Sequence, residues 1–195
     1  GSAGVQGNLG VLRYRQEMHD EALNHFQKAC NLNDSIGHIV VGAICRANMG
    51  DVLMELGDLA GAHDKLKVAL TVLRRTKSIE HWIEAQTSLI RCLSASGHRT
   101  EERREVEELH KVTEQSGKRK HILRSLSHLC RLGAEDRNAV GVSSFLDNWK
   151  EVSTGAEDEI RELNRIARRQ ILPIMEELPA KHRHLFEEKD QKRTD

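Results

Sequence analysis

The 195 residues carry 30 basic and 30 acidic side chains, so no net charge draws the chain as a whole to nucleic acid or to an anionic membrane surface. Two prolines, 3% aromatic residues and 31% charged residues fit a helical protein with a small-residue core and argue against a strand-rich fold. No apolar run reaches transmembrane length and no signal peptide opens the chain. Cys30, Cys45, Cys92 and Cys130 show neither metal-knuckle nor redox-motif spacing, so they read as buried free thiols. The expectation is a cytoplasmic protein.

The opening Gly1-Ser2-Ala3-Gly4 reads as a cloning remnant, which would make the chain a fragment of something longer. From there the sequence repeats itself every 40 residues: Leu9-Gly10 is echoed by Met49-Gly50, and Ala22, Phe26 and Ala29 by Ala62, Leu66 and Ala69. A supersecondary unit copied along a chain cannot bury its apolar face alone and must stack on its neighbours. Within the unit, Val41, Cys45, Met49, Val52 and Leu56 form one helical stripe, and Leu59, Ala62, Leu66, Ala69 and Leu73 form a second. Gly57-Asp58 lies between them, the Gly suited to end one helix and the Asp to cap the next. Each unit therefore reads as helix A, tight turn, helix B and a polar connector.

The string Asn48–Leu59, continued by Ala62, Leu66 and Ala69, resembles a tetratricopeptide repeat, as do Asn8-Leu9-Gly10, Ala22, Phe26 and Ala29. The usual unit has about 34 residues. The 40-residue step here is similar to the longer-helix variety of kinesin light chains, rapsyn and Leu-Gly-Asn-type spindle-orientation adaptors. The resemblance implies an all-α, right-handed α-solenoid with C-terminal capping helices. It implies repeats at 5–40, 41–80 and 81–117 and a partial one at 118–133, the third carrying Glu102 and Val106 at the small and aromatic positions.

Beyond Gly133, Val142, Phe145, Leu146, Trp149 and Val152 make an amphipathic stripe, and Thr154–Glu157 fits a capping box. Pro173 and Pro179 each end one segment and can open the next. Residues 134–188, including a short helix at 180–188, are expected to cap the repeats, and 189–195 to form a disordered tail.

The resemblance also implies a use, a partner segment held against helices A. The matching positions are Asn8, Val11 and Tyr14 in the first unit; Ile44, Ala47, Asn48, Asp51 and Glu55 in the second; Glu84, Ser88 and Arg91 in the third. Asn8 and Asn48 stand at one repeat position, and a carboxamide that donates and accepts can bond an extended peptide's main chain. Arg46, Asp51, Glu84 and Arg91 are the expected side-chain selectors. Repeats that clamp chaperone C-termini need basic residues where Glu84 and Ser88 stand, so that use is disfavoured.

Lys118, Arg119, Lys120, Arg124 and Arg131 form a run without acidic residues, an anion patch in the functional reading. The preferred reading pairs them internally with the Glu-rich stretch 101–108. His182-x-His184 lacks metal geometry, since residues two apart on a helix diverge. Nucleophile elbows, phosphate loops and zinc motifs are absent. The expectation is a scaffold or adaptor, linked to the cytoskeleton by the families it resembles, with no catalytic residues, metal or cofactor. Its partner would be a protein segment, extended or helical. The alternatives are a regulatory domain whose groove is filled in cis by 171–178, and an RNA-binding repeat using 118–131.

Overall fold

The computed structural model describes residues 1–155 and 161–183. Eight long helices follow one another among the described residues: α1 (Ser2–Arg15), α2 (His19–Ser35), α3 (Ile39–Glu55), α4 (Leu59–Arg75), α5 (Ile79–Ala95), α6 (Arg99–Ser116), α7 (Arg119–Glu135) and α8 (Ala139–Ser153). Then come α9 (Arg161–Ile171), a 3₁₀ helix η1 (Leu172–Glu177) and the short α10 (Ala180–Arg183). No strand occurs among the described residues. The fold is an all-α solenoid of successive helix–turn–helix units.

One turn, used repeatedly, punctuates the chain. Residues 17, 37, 57, 77, 97, 117 and 137 all have positive φ, so a left-handed residue recurs every 20 positions. At the α3–α4 turn, Gly57 N–H donates to Met54 O at 3.0 Å and Asp58 N–H to Leu53 O at 2.9 Å. These paired bonds satisfy carbonyls that the ending helix leaves open. Asp58 then accepts from Gly61 N–H at 2.9 Å, capping α4 as its position predicts. Glycine supplies the turn four times, whereas Glu17, Lys77 and Arg137 adopt the same conformation against their own Cβ.

The chain divides into two compact units, Gly1–Glu105 and Val106 onward, with the division inside α6. In the first, the repeated small residues bring helices A and B together. Ala22 and Ala62 are fully buried, and a Cβ on Gly10 would lie 2.7 Å from the Phe26 ring. A Cβ on Gly50 would lie 2.6 Å from Leu66 Cγ. Burying each Leu, Ile or Phe of such a seam stabilises by about 1.5–3 kcal/mol. Arg74 lies over the buried Trp82 ring, 4.8 Å from its centroid, closing the α4–α5 seam.

In the second unit the fourth repeat is fuller than the expected fragment ending at 133. Arg137 makes the left-handed turn, Asn138 caps α8 through Gly141 N–H at 3.0 Å, and α7 pairs with α8. Val142, Leu146 and Trp149 stand 40 residues beyond Glu102, Val106 and Leu109, and all six are fully buried. The repeat is hidden in the sequence because its turn lacks glycine and a Trp replaces a small residue. A helix α9 then packs on α7, where Gln170 accepts from Ser127 Oγ at 2.7 Å. Trp149 Nε1 donates to Asn164 at 2.9 Å. Pro173 sits in the first turn of η1. Ala156 and Glu157 of the Thr154–Glu157 capping box, the end of the 180–188 helix, His184 and the tail 189–195 lie outside the described residues.

All four cysteines are free and buried, as read from their spacing. Burial pushes the Cys130 thiol up to about 12 and Cys45 up to about 11, so neither is a thiolate near neutrality.

Candidate functional site

Most of the sequence-predicted groove positions converge on one face of the first unit. The face exists because α1, α3 and α5 are each a helix A, and α3 packs against α5. Positions 44, 47, 48 and 51 share one side of α3, as 84, 88 and 91 share one side of α5. Between them opens a cavity of about 220 Å³. Its apolar wall is Ile44, Ala47, Leu73 and Ala85. Its polar groups are Asn48, Asp51, Glu84 and Ser88, with His81 beside them.

Asp51 is the electrostatic centre of this face. Ser88 and Arg91 lie beside its carboxylate, with Arg91 Nη1 3.5 Å from Oδ1. That distance is longer than a good N–H···O bond. Oδ1 is buried and has no hydrogen-bond partner among the described residues. Burial therefore raises the Asp51 carboxyl above its ordinary range; Ser88 and Arg91 offset only part of this, and Glu55 adds to it. Arg91 Nη2 also lies 3.7 Å from Glu55, whose other contact is the Tyr14 hydroxyl at 3.5 Å. Burial, then the Glu55 and Asp51 charges, raise the Tyr14 phenol. Tyr14, Glu55, Asp51 and Arg91 thus tie α1, α3 and α5 into one polar strip.

Other expected residues fall elsewhere. Asn8 and Val11 are exposed on α1 and do not line the cavity. Asn48 lines it directly, and Ser88, buried in the cavity lining, stands where a third ladder amide would. Arg46 departs most from its expected role as a selector. Its guanidinium turns to α2 and grips Asp34 with both nitrogens, one pair at 3.2 Å. The absence of a Cβ on Gly42 makes this possible, since one there would come within 2.5 Å of Asp34 Oδ1. His81, Leu73 and Ala85 are cavity residues that sequence reasoning missed. His81 could have been found, because it precedes Glu84 and Ser88 at helical spacing; Leu73 comes from helix B and carries no such signal.

Two carboxylates of the Glu-rich stretch expected to pair with 118–131 have other partners. Glu101 and Glu105 turn instead to Lys67 of α4, each at 3.5 Å, and to Arg104. The reason is geometric, since α4 and α6 are both helices B and these carboxylates face α4. Arg131 bonds Glu135 of its own helix at 3.1 Å. Lys118, Arg119 and Lys120 are exposed at the start of α7, and Arg124 is half-buried. In the same unit His182, 1% exposed, bonds Ser143 Oγ at 3.1 Å and Asp147 Oδ1 at 2.9 Å, docking α10 on α8. Among the described residues no cluster of three or more His, Cys, Asp or Glu could hold a metal ion, and no helix is long and apolar enough to cross a membrane.

No protein-family model matches the chain, and no curated protein matches it. Solved structures do. One is a variant form of a Podosopora anserina protein assigned as a kinesin light chain, with nearly identical TPR-like repeats. It superposes with a TM-score of 0.72 over 93% of this chain and 89% of that one, at 14% identity. A second structure of nearly identical TPR-like repeats from the same assigned Podosopora anserina protein gives 0.65 over 87% and 92%, also at 14% identity. The likeness is one of architecture, and it establishes that this chain has a TPR-like helical-repeat fold.

Proposed function

We propose that the chain is a non-catalytic protein-interaction scaffold that holds a segment of a partner protein on the face built by α1, α3 and α5. The observation that carries this reading is the cavity beside Asn48, where a carboxamide, a desolvated carboxylate and an apolar wall converge on one helix-A face. Asn48, with Asn8 one repeat earlier, would bond the partner's main chain, while Asp51, Glu84 and Arg91 would select its side chains. TPR-like repeats generally serve as protein-binding scaffolds, which agrees with this. A cytoplasmic and cytoskeletal setting is part of the proposal.

The domain reading that goes with it is helical repeats over 5–153 and a cap made by α9, η1 and α10. The alternative, with 171–178 lying in the groove in cis, has less support: Ile171, Ile174 and Leu178 are buried, and η1 packs on α7 and α9. The RNA-binding alternative predicts that reversing Lys118, Arg119 and Lys120 to Glu abolishes binding with a steep salt slope; a scaffold keeps its protein partner through that change.

The test is a pull-down comparing wild type with the Asn8→Ala/Asn48→Ala double variant, after circular dichroism shows equal helicity. Partners lost only from the variant support the reading. An unchanged partner set sinks the main-chain clamp.

A further inference from the structure

The outer edge of α1 breaks a rule that the three later helices A keep. Val5 is 57% exposed, whereas the residues one, two and three repeats later, Cys45, Ala85 and Ser125, are 4%, 2% and 0% exposed. Leu12, two turns further along the same side of α1, is 47% exposed, against 0%, 0% and 2% for Val52, Cys92 and Leu132. In each later repeat the helix B that precedes it supplies the cover. Cys45 packs with Ala29 and Cys30 of α2, and Met49 and Val52 pack with Ala22 and Phe26 of the same helix. Cys92 Sγ donates to Leu59 O of α4 at 3.3 Å, and Ser125 Oγ meets Thr113 Oγ1 of α6 at 2.9 Å. A terminal repeat that faces only water needs a polar outer face. Val5 and Leu12 keep this one apolar, whereas Val142, Leu146 and Trp149 of the last helix B, α8, are fully buried.

We propose that this edge is a second interaction surface and that it takes one amphipathic helix of a partner protein with the chemistry of a helix B. That chemistry is a small residue, a large apolar one four positions on, and a small one three beyond. It is Ala22, Phe26 and Ala29 in α2 and Ala62, Leu66 and Ala69 in α4, the helices that cover the equivalent positions of α3 and α5. The bound helix lies antiparallel to α1, as α2 lies to α3, with its large residue toward Leu9 and Leu12 and its second small residue toward Val5. The contact thus continues the interface between each helix B and the next helix A by one helix. A second copy of the chain fits less well, because its own small helix-B residues, Ala22, Ala29, Ala62 and Ala69, are already fully buried. The surface is separate from the groove, since neither Val5 nor Leu12 lines the cavity.

The probe is a fluorescent peptide of residues 18–36, the α2 segment, carrying Cys30→Ser to prevent disulfides. It is titrated by anisotropy against the full 195-residue chain, beside a control peptide that also carries Ala22→Lys and Phe26→Lys. The α2 peptide is expected to bind at least about tenfold tighter than the control, with little change between low and high salt, because apolar burial drives the contact. Val5→Lys and Leu12→Lys in the chain should each weaken it about tenfold, since each places a charge where apolar surface is to be buried. Both sites are exposed, so circular dichroism should show unchanged helicity. Val140→Lys, at a site 83% exposed on α8, and Asn48→Ala in the cavity should leave the affinity unchanged. Equal binding of the two peptides, binding that survives both edge substitutions, or no binding overturns the proposal. So does self-association of the chain in sedimentation that Leu12→Lys abolishes, which assigns the edge to a second copy.

Discussion

Asp51 sets stability against binding within one side chain. Its carboxyl is raised chiefly by burial, so the folded state disfavours its charge more than the unfolded chain does. The sign follows from linkage. A carboxyl raised on folding costs stability while it is ionised, and the cost disappears as pH falls through the raised value toward the unfolded one. Asp51→Asn should therefore raise Tm at pH 7, and its advantage should shrink as both proteins are acidified toward pH ~4. Melting curves across that range check this; a variant less stable than wild type at pH 7 would sink it. The glycines make a second residue-scale contrast. Gly50→Ala puts a Cβ against the branch point of Leu66, so overpacking of about 1–3 kcal/mol should exceed the ~1 kcal/mol gained in helix propensity. Lys77→Gly should go the other way, stabilising by up to ~1 kcal/mol by relieving a left-handed residue. Urea midpoints at constant m-value measure both.

At the scale of elements, the caps and the last helices carry the testable weight. Asp58→Ala removes the acceptor for Gly61 N–H and should cost about 0.5–2 kcal/mol. The 171–178 segment is a stronger case. Ile171, Ile174 and Leu178 are each no more than 1% exposed, and burial of three such side chains is worth about 5–9 kcal/mol, on the order of a domain's whole stability. Ending the chain at Gln170 should therefore unfold or aggregate the second unit. A soluble, fully helical product with newly gained peptide binding would instead mark the segment as a groove occupant. Sedimentation and circular dichroism separate the two outcomes. The docking of α10 through His182 and Lys181 on Asp147 should be lost in the same truncation.

For the whole molecule, repeat architecture predicts how the chain comes apart. Each helix pair rests on its sequence neighbours, so stability is close to a sum of local and nearest-neighbour parts. With the chain divided into two compact units inside α6, urea unfolding should show more than one transition, and the calorimetric enthalpy should exceed the van't Hoff value. Helices of the small-residue seam, α3 and α4, should exchange their amides last, because Ala62, Leu66, Ala69 and Val52 are fully buried there. A single coincident transition by fluorescence and circular dichroism contradicts this.

The 40-residue period, the turn at Gly57-Asp58 and the buried positions of Ala22, Phe26, Ala62 and Leu66 were all legible in the linear chain, because helical spacing and turn chemistry are local. So was the membership of Asn48, Asp51, Glu84 and Ser88 in one face, since repeats carry equivalent residues to equivalent places. Local rules could not see the left-handed turn at Arg137, which tertiary packing imposes on a residue that resists it, nor the fourth helix pair that this turn joins. They could not assign Arg46 to Asp34, because that pairing depends on how closely α2 and α3 approach over Gly42. Nor could they show that Asp51 keeps a buried oxygen unbonded, for burial is a property of the neighbours that three-dimensional packing supplies and not of the residue itself.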